Sequence, residues 1–137
     1  MTKTIKALSL KQPWLNWVRD GRKTIETRTW TTKHRGPLLL VASKSVDNEA
    51  ALLDDVTADH VYVTGKSICL VELLDVRPMT EADVAAAMCP CSPGRFAWVL
   101  GLVQPIVPVP VRGQLNIFDV PLTADVAAII ANWEDGK

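Results

Sequence analysis

Apolar positions in this chain recur in short runs broken by glycine, proline and small polar residues, which predicts many brief elements rather than a few long ones. Residues 4–8 read as a first strand with Ile5, Ala7 and Ser9 on one face. Pro13 suits the first turn of a helix, where its missing N–H leaves nothing unpaired. That helix carries Trp14, Trp17 and Val18 on one side to about Asp20, and Gly21 closes it. From Lys23 to Trp30 the period changes to two. Lys23, Ile25, Thr27 and Thr29 fall on one side and Thr24, Glu26, Arg28 and Trp30 on the other, as in a half-buried strand.

After the turn Arg35-Gly36-Pro37, residues 38–42 read as an interior strand, and 46–53 as a short helix. Gly65 introduces an apolar strand over 67–76. Thr80 is a suitable N-cap for a helix over 81–88, with Asp83 at its third position. Residues 96–103 form another strand. The segment PIVPVPVRG is extended but proline-rich and belongs on a sheet edge or around a bend. QLNIFDVP wraps back over the core, and Thr123 caps a last helix to about Trp133. The order of elements predicts an α+β fold with a strongly bent sheet or small barrel flanked by short helices.

At 137 residues the chain is expected to form one domain large enough to bury a core without a disulfide or metal. No apolar run approaches the length of a membrane span, and the first ten residues lack an apolar leader core, so a cytoplasmic location is expected. Cys69, Cys89 and Cys91 are odd in number, and the C-P-C arrangement lacks zinc-ligand spacing, so no metal is expected. Gly65, Gly94, Gly101 and Gly113 fit neither a dinucleotide fingerprint nor a Walker loop, and no cofactor is expected. His34, beside Arg35, reads as a turn residue.

Charge changes the picture most. The formal net charge is zero, yet residues 1–44 hold ten basic and two acidic residues, and residues 45–137 hold five and thirteen. Within residues 9–36, Lys11, Arg19, Arg22, Lys23, Arg28, Lys33 and Arg35 are interleaved with Trp14, Trp17 and Trp30, three of the five tryptophans. Cations mixed with large flat rings suit a ligand both anionic and aromatic, of which nucleic acid is the commonest. Lys11 and Gln12 sit where strand one meets helix one. Glu26 and Arg28, two apart on one strand face, either pair with each other or look into a polar cleft, because neither is cheaply buried alone. Lys23 is read as a phosphate contact; base chemistry would require burial or a nearby cation to lower its pKa.

The runs SLKQPW at 9–14, GRKTIETRTW at 21–30 and HRG at 34–36, with LLLVASK, FAWVL and PVPVRGQLNIF further on, resemble the ASCH domain of the PUA-like superfamily. The resemblance covers nearly the whole chain. It implies a small bent barrel with a cleft beside helix one that takes RNA or another nucleic acid, lined by Lys11, Gln12, Pro13, Trp14, Lys23, Glu26, Arg28 and Arg35 together with Ser43 and Lys44. Trp30, on the strand face of Arg28, supplies a further stacking surface. One bacterial branch of the family removes the acetyl group from N4-acetylcytidine, a modified nucleoside, using a lysine and a threonine three residues later. Here the lysine matches Lys23 but Glu26 stands at the nucleophile's position, so Thr24 or Thr27 would have to serve. Another member is a ribonuclease, for which Lys23 would stabilise the phosphorane and Glu26 would move a proton. The sequence thus implies nucleic-acid binding, with an RNA-processing hydrolase acting through Lys23, Glu26 and Thr24 as the alternative. It leaves the oligomeric state open.

Overall fold

The computed structural model describes residues 3–136. Six strands, β1 (Thr4–Gln12), β2 (Ile25–Arg28), β3 (Gly36–Val46), β4 (Ser67–Pro78), β5 (Phe96–Pro105) and β6 (Ile117–Pro121), form one mixed sheet. Its order is β2-β5-β4-β3-β1-β6. Only β1 and β3 run parallel; every other neighbouring pair is antiparallel. Helices α1 (Trp14–Arg19), α2 (Asn48–Ala51), α3 (Val84–Ala87) and α4 (Ala124–Asp135) complete the α+β architecture. The sheet runs from β2 to β6 without closing, so the expected barrel is an open sheet: β2 pairs only with β5, and β6 only with β1.

The central strands are apolar on both faces. Leu8, Leu10, Leu38, Leu40, Val71 and Trp98 pack with α1 residues Leu15 and Val18 in one layer. Ile5, Ala7, Leu39, Val41, Leu70 and Phe118 pack in the other, covered by Val126, Ile129, Ile130 and Trp133 of α4. A parallel pair buried on two sides reads as an unbroken apolar run, which is why residues 38–42 show no alternation.

Several boundaries differ from the sequence expectation. β1 continues through Gln12, because its last residues still pair with β3. The strand expected over 23–30 shrinks to Ile25–Arg28, an edge strand held by β5 alone. The helix expected over 81–88 begins as a 3-10 turn, Glu81–Asp83, before α3. There Thr80 N–H donates to Asp83 Oδ2 at 2.8 Å, the third-position carboxylate reaching back to the capping residue's amide. Gly21 follows α1 with φ of 81°, the left-handed backbone expected of a residue closing a helix. The proline-rich segment lies alongside the start of β4, joined by Ser67 N–H to Val109 O, Val111 N–H to Gly65 O and the bridge of Lys66 with Pro110.

One irregularity positions the site. Leu10 pairs with Ala42 but Gln12 with Val46, so two steps along β1 oppose four along β3. Ser43, Lys44 and Ser45 therefore bow out of the ladder, the usual effect of extra residues in one strand of a pair.

Candidate functional site

Beside α1 and the irregular end of β3 lies a hollow of about 660 Å³. Its wall draws on β1 (Leu8, Ser9, Lys11), Trp14, Lys23, and Glu26 to Arg28 of β2 with Trp30 beyond it. Ser43 and Ser45 come from the end of β3 and Asp47 follows it, and the far side is made by Cys89, Pro90, Ser92, Arg95 and residues 114–116.

Lys23 sits on the floor, 1% exposed. It follows Gly21 and Arg22, where Lys23 N–H bonds back to Trp17 O at 3.0 Å, so the chain turns in under the helix. Its Nζ donates to Ala87 O, lies 3.7 Å from Glu26 Oε1 and stands 4.9 Å from the centre of the Trp14 ring. Burial pushes this amine below its ordinary value near 10.5, against support from the Glu26 carboxylate and the Cys89 thiol.

Glu26 and Arg28 are paired and also line the hollow, so the two alternatives read from their spacing hold together. Arg28 donates to Glu26 Oε2 from Nε at 3.2 Å and from Nη2 at 2.9 Å, and Nη2 also reaches Ser9 O at 2.7 Å. Glu26 Oε1 accepts Thr27 N–H at 2.9 Å. The carboxylate is thereby held by two cations and an amide, as a buried charge must be. Thr27 Oγ1 accepts from Arg95 Nη1 at 3.2 Å and lies 3.8 Å from Cys89 Sγ.

Trp14 is fixed by its indole N–H, which donates to Asp47 Oδ2 at 2.9 Å, and by an edge contact with Trp17. Asp47 also caps α2 through Ala50 N–H. The Trp14 bond and that cap hold its carboxyl below the usual carboxylate range. Trp30 packs edge-on against buried Trp98, whose indole N–H donates to Trp30 O at 3.3 Å. Trp17 faces elsewhere: its N–H and the Tyr62 hydroxyl both donate to Asp54, at 2.9 and 2.7 Å.

Of the residues expected at the site, Lys11, Trp14, Lys23, Glu26, Arg28, Trp30 and Ser43 line this hollow. Four others do not. Gln12 is fully buried, its side chain bonding Asn16 and Val63 O, and so ties α1 to the 57–64 connection. Arg35 donates to Thr32 O and His34 O and pairs with Asp75 at 3.6 Å, away from the wall. Thr24 is exposed, its backbone held by Ala86 O and Leu100 N–H, so Thr27 is the β2 hydroxyl in the hollow. Lys44 lines an adjoining hollow instead. Arg95, Cys89, Asp47 and residues 114–116 were not expected at the site, since each arrives from a distant stretch and nothing in its local sequence says which part of the sheet it meets.

A family model described as the ASCH domain matches residues 8–110. The chain belongs to the ASCH domain family. Among solved structures, this ASCH domain is similar to that of ASCH from Zymomonas mobilis, at 12% identity and a TM-score of 0.60 over 93% of each chain. It is similarly close to a tyrosine-to-phenylalanine mutant of that protein, with a TM-score of 0.57 over 93% of this chain and 96% of that one, again at 12% identity. A serine-to-alanine mutant of the same protein gives 0.56 over 93% and 94%, at the same identity. At this identity the likeness shows the fold. No curated protein matches the chain. No helix among the described residues is long and apolar enough to cross a membrane.

Proposed function

We propose that this ASCH domain binds nucleic acid, RNA in the first instance, in the hollow between α1 and β2. The observation that carries the reading is that Trp14 and Trp30 share one concave wall with Lys11, Lys23, Arg28 and Arg95, against only Glu26 and Asp47. Rings offer stacking to a base, and Lys11, Arg28 and Arg95 offer the phosphates an electrostatic partner; Lys23, expected as a phosphate contact, is buried beneath them and adds only its field. The volume falls within the range of pockets that enclose a small molecule. Lys11 is exposed and makes no ion pair among the described residues, so it is available at the rim. The same reading takes residues 1–137 as one ASCH domain of PUA-like type.

Anisotropy of labelled single-stranded RNA and DNA oligonucleotides at two ionic strengths tests it. Binding is expected at low salt, with log K falling against log salt by about 0.7 per phosphate neutralised. Lys11→Ala is expected to lower that slope by about one such step. A folded protein that binds neither strand at low salt would end the proposal.

A second reading, hydrolysis of RNA or of N4-acetylcytidine, is favoured by Lys23 itself. An amine sealed from water and lowered in pKa gives up its proton more readily than a surface lysine. Thr27 offers the hydroxyl in the hollow. Turnover of N4-acetylcytidine or labelled RNA is expected to be lost in Lys23→Ala and Glu26→Ala. Turnover that survives both substitutions means these residues are not the machinery.

A further inference from the structure

The hollow does not end at its own rim. A second one of about 420 Å³ adjoins it, and Ser9, Ser43, Gln114 and Leu115 line both. Lys44 and Arg112 line the second and not the first, and Arg112 also borders a further hollow lined by Asp119 and Asp125. Both cations are exposed, and neither has an ion pair or side-chain hydrogen bond among the described residues. Between the two stands Leu115, 90% exposed, an apolar side chain left in water where the hollows meet. Asn116 after it has φ of 60°, a left-handed conformation that asparagine tolerates better than most residues and that turns the chain sharply here. Below this segment, Gly113 lies so close to β1 that a Cβ would stand 2.7 Å from Ser9 Oγ. That close approach brings residues 113–116 down onto the sheet end, beside the Ser43–Ser45 bow.

Resting on the nucleic-acid reading above, we propose that the ligand is a strand of at least two nucleotides rather than a free nucleoside. One base occupies the Trp14–Trp30 hollow. The backbone then passes Leu115, which packs against the next base, and its phosphates meet Lys44 and Arg112. Two unpaired cations beyond an exposed apolar side chain match the alternation of phosphate and base along a strand. A mononucleoside would leave all three unused.

Calorimetric titration of the full chain with nucleoside monophosphates and with single-stranded RNA tetranucleotides reads the proposal directly. The tetranucleotide is expected to bind at least about tenfold more tightly, with a steeper salt dependence. In the Lys44→Ala/Arg112→Ala double variant the ratio of tetranucleotide to mononucleotide affinity should collapse toward unity, and the tetranucleotide salt slope should fall by about 1.4. Leu115→Ala should reduce the ratio with the salt slope unchanged. Equal affinity for the two ligands, or a length advantage undiminished in the double variant, overturns the second subsite while leaving the first reading intact. Absence of binding by any ligand removes both. Circular dichroism checks that these exposed substitutions leave the fold in place.

Discussion

Lys23 is a charged group placed where its charge is expensive. Its amine is 1% exposed, and what supports the ammonium is the Ala87 carbonyl, the Trp14 ring and, at 3.7 Å, the Glu26 carboxylate. Desolvation outweighs these, so the folded-state pKa lies below the ordinary value near 10.5. Below both values the amine is protonated in the folded and unfolded chains alike, and folding carries the full burial penalty. As pH rises from the lowered value toward 10.5, the unfolded chain holds the extra proton, so stability increases with pH in that window. Glu26→Gln removes the carboxylate that supports the charge, and the Lys23 pKa should fall further. Heteronuclear NMR titration of the lysine side chains measures both; a Lys23 that titrates like a surface lysine contradicts the burial argument. Neutralising Glu26 thus reports on the floor of the hollow without enlarging it, as truncation would.

At the scale of elements, the site depends on how strands end rather than on how they run. β3 bows out over Ser43–Ser45, and β2 is a short edge strand whose register on β5 places Glu26 opposite Trp98. Opposite that edge, α3 and its preceding 3-10 turn bring Ala87 to Lys23 and Cys89 to Thr27. The turn is held by Asp83, which accepts from both Arg77 nitrogens at 2.8 Å and from Thr80 N–H. The Arg77 guanidinium, with the Thr80 amide, holds the Asp83 carboxyl well below the usual carboxylate range. A depressed folded-state value contributes stability at pH above about 4 that is lost progressively as pH falls below it. Asp83→Asn should therefore be less stable than the parent at pH 7, with the gap narrowing toward pH 2. Urea midpoints across that range test this. A gap that stays constant would show that the carboxylate charge plays no part.

Across the whole molecule, what was legible in the sequence was what local chemistry decides. The run 38–42 announces a buried strand, Thr80 with Asp83 a helix start, Gly21 a helix end, and alternating Glu26 and Arg28 a face that must be paired or wet. Motif residues close in sequence, Lys11 to Trp30, largely came together. What was illegible depends on distant segments meeting. Nothing local says that Gln12 turns inward to Val63 O, that Arg35 spends its charge on Asp75, or that residues 113–116 descend onto Ser9. Nor does it say whether edge strands meet: β2 and β6 stay at opposite sides of an open sheet. The split of charge along the chain is likewise only partly a split in space. Lys6, Arg22 and Arg35 are paired with Asp119, Asp54 and Asp75 from the acidic portion, while Lys11, Lys23 and Arg28 remain at the hollow.

The five indoles are distributed unevenly with respect to that hollow. Trp14 and Trp30 line it, Trp17 and Trp98 are buried behind them, and Trp133 packs with α4 against the layer of Ile5 and Ala7. Intrinsic emission should consequently be quenched only in part when an oligonucleotide docks, settling on a plateau to which Trp133 contributes an unaltered background. Replacing Trp133 with phenylalanine would lower that baseline and leave the ligand-dependent change intact, turning the protein into a cleaner optical reporter of its own occupancy.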